Sequence, residues 1–109
     1  MSTVKHLETN VQRILPTILR EDVKENIGFL TVTDVKITNE LSYMYVYYTI
    51  YGSEKDRENV QNALDRANGF IRREIARKVK MRKVPDLIFK YDESYEKGKH
   101  IEELLHEIK

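Results

Sequence analysis

Residues 62–92 read NALDRANGFIRREIARKVKMRKVPDLIFKYD. Ile71, Ile75 and Val79 recur at every fourth position, the spacing that puts apolar groups on one side of a helix. Leu87, Phe89 and Tyr91 then alternate with Ile88, Lys90 and Asp92, the spacing of a strand with one covered face. Pro85 lies between the two patterns and disfavours helix in the residue before it. The stretch therefore predicts a helix over 70–82 and a strand over 87–92. Ala67-Asn68-Gly69 precedes that helix. Asn and Gly tolerate the left-handed angles at which a helix ends or turns sharply, so a break is expected there. On its N-terminal side Val60, Ala63, Leu64 and Ala67 mark the buried side of another helix over 54–67, with Ser53 placed to cap it.

Working outward, residues 43–51 (YMYVYYTIY) are the densest β-forming run. Met44, Val46, Tyr48 and Ile50 alternate with Tyr43, Tyr45, Tyr47, Thr49 and Tyr51. In 31–38, Thr33, Val35 and Ile37 alternate with Asp34, Lys36 and Thr38. The short Asn39-Glu40-Leu41-Ser42 connection makes an antiparallel hairpin of the two strands. Val4, Leu7, Val11, Ile14 and Ile18 give a helix over 3–24. The ring of Pro16 clashes with the carbonyl four residues back, so a kink or break is expected near 12–15. Ile101, Leu104, Leu105 and Ile108 predict a last helix over 95–108. The expected order is helix, strand, strand, helix, helix, strand, helix: an α+β fold with a three-stranded sheet, in which one face is covered and the other is open to solvent.

With 109 residues the chain fits one domain over 1–109 and leaves no room for an interdomain cleft. It has no cysteine, which excludes disulfides, thiolate catalysis and sulfur-ligated zinc. No run of 18 apolar residues suggests a membrane span, and MSTVKHLETN lacks the apolar centre of a secretory signal. A cytoplasmic location and a partner other than a membrane are expected.

The net charge of +1 conceals a block. Residues 66–83 hold eight of the Lys and Arg side chains and one carboxylate, Glu74, while both flanks are mildly acidic. On a helical wheel with Arg72 at zero, Ile71, Ile75 and Val79 fall at about 260°, 300° and 340°. Arg73, Arg77 and Lys80 fall at about 100°, 140° and 80°, opposite them. Arg72 and Lys83 extend the charge toward one edge of the packed face. Lys78 and Arg82 emerge at the other edge, and Arg66 opens the block. A basic ridge anchored by an apolar side suits a phosphate backbone, and arginine adds a planar surface for bases. A solvated charge face or a protein-binding patch is the alternative, and the local excess favours nucleic acid. A helix starting at Asn68 and Gly69 would also expose backbone N–H groups to a phosphate. A corner required only by packing would look the same.

Tyr45, Tyr47 and Tyr51 fall on the face opposite Met44, Val46, Tyr48 and Ile50. Rings on an open sheet suit base stacking, and they equally suit cross-strand pairing or a partner protein. The strand itself has no basic residue between its rings. His100 and His106 are six apart on the last predicted helix and point about 120° from each other, a poor metal pair. No phosphate-loop or dinucleotide motif is present, and no nucleophile has a visible base. Neither an enzyme nor a cofactor or metal is expected.

The 62–92 run resembles the ribosome-binding factor A family. It is similar to that family's A-x-G-x-I-R helix at Ala67, Gly69, Ile71 and Arg72. The basic K-M-R-x-x-P region follows at Lys80, Met81, Arg82 and Pro85, then the P-[DE]-L-x-F-x-x-D strand at Asp86, Leu87, Phe89 and Asp92. TVTDVKITNELSYMYVYYTIYG and DESYEKGKHIEELLHEI resemble its hairpin and its ending. The family's Asp-Pro-Arg before the first strand is replaced here by Glu25-Asn26-Ile27-Gly28. The resemblance implies a type II KH-like domain of order α-β-β-α-α-β with a C-terminal helix, in which an Ala-x-Gly kink at 67–69 joins the two central helices. It further implies a cytoplasmic, non-enzymatic factor, monomeric when free, that binds the free 30S ribosomal subunit. Such a factor assists late 16S rRNA maturation and growth in the cold, and a maturation GTPase promotes its release.

Overall fold

The computed structural model describes residues 3–23, 27–28 and 30–94. In chain order these form α1 (Thr3–Thr17), a π-helical turn (Ile18–Asp22), β1 (Leu30–Ile37), β2 (Tyr43–Ile50), α2 (Glu54–Lys78) and β3 (Asp86–Tyr91). The helix expected over 95–108, with His100 and His106, lies outside the described residues. β2 is the central strand, antiparallel to β1 and parallel to β3. A parallel neighbour cannot be reached through a tight turn, and α2 makes the crossover. The result is an α+β arrangement of two helices and a three-stranded sheet among the described residues.

Strand register sorts the side chains. Val46 pairs with Val35 and Phe89, and Met44 with Ile37 and Leu87, so these six share the covered face. Met44, Val46, Leu64, Ile71 and Ile75 have no exposed surface. Strict alternation in β1 would set Thr33 beside Val35 and Ile37. Instead the register shifts between Val32 and Asp34, so Val32, paired with Tyr48, completes the apolar row. Thr33 becomes the extra residue of a bulge. Its hydroxyl donates to Asp92 Oδ2 at 2.5 Å, and its carbonyl accepts from Gln12 Nε2 at 3.4 Å.

Two helix expectations are corrected. α1 is continuous through residues 12–15, so the chain does not break there. Pro16 is exposed, so the carbonyl crowded by its ring sits on the solvent side, where it can tilt toward water. The departure comes after Pro16, where the π turn closes with Val23 N–H donating to the Ile18 carbonyl at 3.1 Å. The wider turn lets consecutive Ile18 and Leu19 both enter the core.

The second correction concerns α2, which is one continuous helix from Glu54 to Lys78. Its start follows expectation: Ser53 Oγ accepts from Asp56 N–H, and Asp56 Oδ2 accepts from Ser53 N–H. Ala67-Asn68-Gly69 does not interrupt it, and no left-handed angle occurs at Asn68 or Gly69. Buried Leu64 and Ile71 are seven apart, so the apolar stripe crosses the tripeptide without a phase change. The N–H groups near Gly69 are therefore inside a helix rather than at a free helix start. The helix ends at Lys78, before the expected 82, because Val79 turns extended. On the wheel Met81 would lie at about 180°, away from the core; leaving the helix lets it pack there.

Helix side chains reach backbone groups on both sheet edges. Glu8 of α1 accepts from the Ile37 N–H of β1 at 2.8 Å. Gln61 and Asn68 of α2 donate to the Phe89 and Leu87 carbonyls of β3 at 3.3 and 2.8 Å. These three edge groups are thereby withheld from another strand.

Candidate nucleic-acid interface

With α2 continuous, its outer face is a single ridge. Arg66, Phe70, Arg73 and Arg77 stand at successive spacings of four, three and four, and all four are exposed. Phe70 is 37 % exposed, an aromatic ring set between arginines one turn away on each side. Its phase on the wheel, about 160°, is the signal in the sequence that sets it beside Arg73 and Arg77. Gly69 acquires a different role from the one expected. A Cβ there would meet Arg73 Nη1 at 3.5 Å, so the glycine leaves the helix surface open beneath the Arg73 guanidinium.

Several residues expected to bind nucleic acid are engaged in the fold. Asn68 holds the Leu87 carbonyl. Arg72 Nε donates to the Pro85 carbonyl at 2.8 Å and its Nη2 to the Val84 carbonyl at 2.6 Å. Its guanidinium also lies 3.9 Å from Asp86. Lys78 pairs with Asp22 of the π turn at 3.6 Å. Arg77 pairs with Glu74 at 2.8 Å. The hydrogen bond from Arg77 holds the Glu74 carboxyl below its ordinary range, and the same bond pushes Arg77 up. Both pairs sit near the C-terminal end of α2, where the helix dipole favours cations.

Arg73, Lys80, Arg82 and Lys83 are exposed and form no ion pair among the described residues. Because the helix stops at Lys78, Lys80 does not continue the Arg73–Arg77 ridge as the wheel predicts. With Met81 and Arg82 it borders a groove against Val4, Leu7, Asn39 and Leu41.

The tyrosine face is only partly as expected. Tyr45 and Tyr47 are half-buried on the open face, and the Tyr43 and Tyr45 rings lie 6.2 Å apart. The basic residues missing from β2 come from its neighbours. Lys36 of β1 is opposite Tyr45, and Lys90 of β3 reaches 5.3 Å from the Tyr45 ring centre. Lys36 also pairs with Asp34 at 3.6 Å. Tyr51 does not extend this face: β2 ends at Ile50, and the ring, 90 % exposed, borders a hollow with Gly28, Asp56 and Asn59. On the covered side the Tyr48 hydroxyl donates to Gln61 Oε1. Burial pushes its pKa up to about 12, helped by the charge of Asp65. Among the described residues no helix is long and apolar enough to cross a membrane.

A family model for ribosome-binding factor A matches residues 3–105. A ribosome-binding factor A from Citrifermentans bemidjiense is 44 % identical over 99 residues, which are 90 % of this chain and 83 % of the relative. One from Clostridium botulinum (strain Loch Maree) is 42 % identical over 105 residues, 94 % of this chain and 88 % of the relative. The crystal structure of ribosome-binding factor A from Thermus thermophilus superposes with a TM-score of 0.71 at 30 % identity, covering 81 % of this chain and 94 % of its own. A homology model of the Thermus thermophilus factor, as fitted into the cryo-EM map of a 30S complex, gives a TM-score of 0.66 at 31 % identity, with 79 % and 91 % covered.

Proposed function

Because this chain belongs to the ribosome-binding factor A family, we propose that it binds the free 30S ribosomal subunit through the outer ridge of α2 and assists late maturation of 16S rRNA without catalysis. The observation that carries the reading is the ridge itself. Arg66, Phe70, Arg73 and Arg77 form an exposed, aromatic-bearing row on a helix whose other side is buried. Arginines can engage phosphates along the row while Phe70 offers a face to a base. Lys80, Arg82 and Lys83 continue the positive charge beyond the helix, and Asn68 and Arg72 act by holding β3. The fitted 30S complex of the Thermus thermophilus factor supports the choice of partner. The family resemblance supports the remaining parts: a single KH-like domain, monomeric when free, working in the cytoplasm and in the cold, with release promoted by a maturation GTPase.

Replacing Arg73 and Arg77 together with glutamine tests the ridge. The fold should survive while 30S affinity falls, most at modest salt. The slope of affinity against salt should become shallower by roughly 0.7–0.9 for each phosphate that is no longer neutralised. Ile75→Asp is the contrasting control, since it should abolish binding by unfolding the core. A folded double variant with unchanged affinity and salt slope would remove the ridge from the interface. A second reading, docking of a partner protein on the open sheet, draws on the Tyr43–Tyr45 pair. It predicts binding that persists at high salt.

A further inference from the structure

We propose that the groove at the C-terminal end of α2 receives one unstacked nucleotide of single-stranded RNA, with its base inward and its phosphate on Lys80 and Arg82. The inference rests on the nucleic-acid reading of the ridge and adds a second kind of interaction to it. The groove holds about 580 Å³, inside the roughly 300–1,000 Å³ range of sites that take small organic groups. Three elements build it: the first turns of α1, the β1–β2 turn, and the segment that leaves α2. Its apolar part comes from Leu7 and Leu41, both buried, and from Val4 and Met81, both packed on the core.

Charge selects the occupant. Among the described residues no acidic side chain lines the groove, and the two cations beside it, Lys80 and Arg82, have no ion pair. An apolar peptide would leave both charges unanswered, whereas a nucleotide presents a flat apolar face and an anion together. Asn39, exposed in the same lining, offers an amide donor and acceptor to a base edge. The Arg73–Arg77 row runs along α2 toward the end of the helix at which the groove lies.

The β1–β2 turn fixes one wall. Leu41 has φ 59°, a left-handed angle uncommon for leucine. The turn imposes it. Leu41 N–H donates to the Thr38 carbonyl at 2.9 Å, and Thr38 Oγ1 accepts from the N–H groups of Ser42 and Tyr43 at 3.0 and 3.1 Å. A backbone over-determined in this way keeps the Leu41 side chain in the wall.

The chain has no tryptophan, so Met81→Trp supplies a single reporter inside the groove. Asn39→Trp supplies a second at its mouth should the first perturb folding. Each is titrated with a short single-stranded RNA and with the same sequence as a duplex, while anisotropy of the labelled RNA reports binding separately. Stacking of a base should give a saturable loss of indole emission with the single strand and none with the duplex, whose bases stay stacked. Lys80→Gln with Arg82→Gln, added to the reporter, should raise the Kd about tenfold at modest salt. The proposal is overturned if anisotropy shows binding while the emission stays constant, or if the duplex quenches equally; the ridge reading then stands alone. If neither RNA binds, both readings fall. Quenching by an apolar peptide but not by RNA would assign the groove to a protein partner.

Discussion

Arg72 and Arg73 are neighbours on one helix, and the fold gives them opposite duties. Arg72 belongs to a row with Gln61 and Asn68, spaced seven and four apart, whose side chains reach the carbonyls of Val84, Pro85, Leu87 and Phe89. Arg73 belongs to the outer row with Arg66, Phe70 and Arg77. One row fastens β3 and its approach to α2; the other faces solvent. Counting positive charge merges the two, and only the destination of each guanidinium separates them. A cation whose donors end on backbone carbonyls is held by the fold, and it contributes little that a phosphate can claim.

The contrast breaks most visibly in stability. Arg72→Ala deprives two carbonyls of a charged donor, and each such bond contributes about 1.5–3 kcal/mol. With part of the side chain open to solvent, the expected loss is about 3 kcal/mol in total, read as a lower midpoint in urea with m unchanged. Arg73→Ala should leave that midpoint in place and weaken 30S binding. Equal loss of stability in the two variants would erase the distinction between the rows.

Next in size is a pH effect on the inner row. Gln61 accepts the Tyr48 hydroxyl while donating to Phe89, so the phenol is tied into the same seam. Its pKa rises from 10.0 to about 12, first because burial disfavours the phenolate and then because Asp65 is near. A proton held more tightly in the folded state stabilises that state fully below about pH 10, and the stabilisation is lost as pH climbs through about 12. The amount at stake is at most about 3 kcal/mol. Tyr48→Phe should lower stability at neutral pH by removing the hydrogen bond and flatten the decline between pH 10 and 12. Denaturant midpoints across that window check it, and an unchanged slope in the variant would exclude Tyr48 as the cause.

What the sequence disclosed follows from the range of each interaction. Ile71 with Ile75, and the alternation of Val46 with Tyr47, are local periodicities imposed by one buried face, so the types of these elements and the covered side of the sheet were readable, while the continuity and end of α2 were not. The bulge at Thr33 was not, because it is settled by Gln12 and Asp92, which lie far from it in the chain. The role of Arg72 was hidden for the same reason: its acceptors are backbone carbonyls that carry no residue identity. Phe70 was readable from its phase and was obscured by attention to charge. The lysines beside Tyr45 became visible only when β1 and β3 took their places on either side of β2.

The smallest expected effect concerns Gly69, where the sequence alone suggested a special backbone and the structure gives an ordinary helical one. Gly69→Ala should therefore not strain the chain. Removing a flexible residue from a helix interior favours the folded state by roughly 0.5–1 kcal/mol. The new methyl would sit 3.5 Å from Arg73 Nη1, an ordinary van der Waals separation that displaces nothing. The substitution would place that methyl in contact with the guanidinium where the helix surface is now open. The expected result is a slightly higher midpoint in urea with a change in 30S affinity of at most a few-fold, and an altered salt slope only if the Arg73 position matters. A destabilised variant would mean that residues 67–69 carry a bend after all, and that the outer row is two short segments at an angle. A stabilised variant with unchanged binding would leave Arg73 able to find its phosphate from either position, and the row would then act through its charge and its ring rather than through a fixed guanidinium.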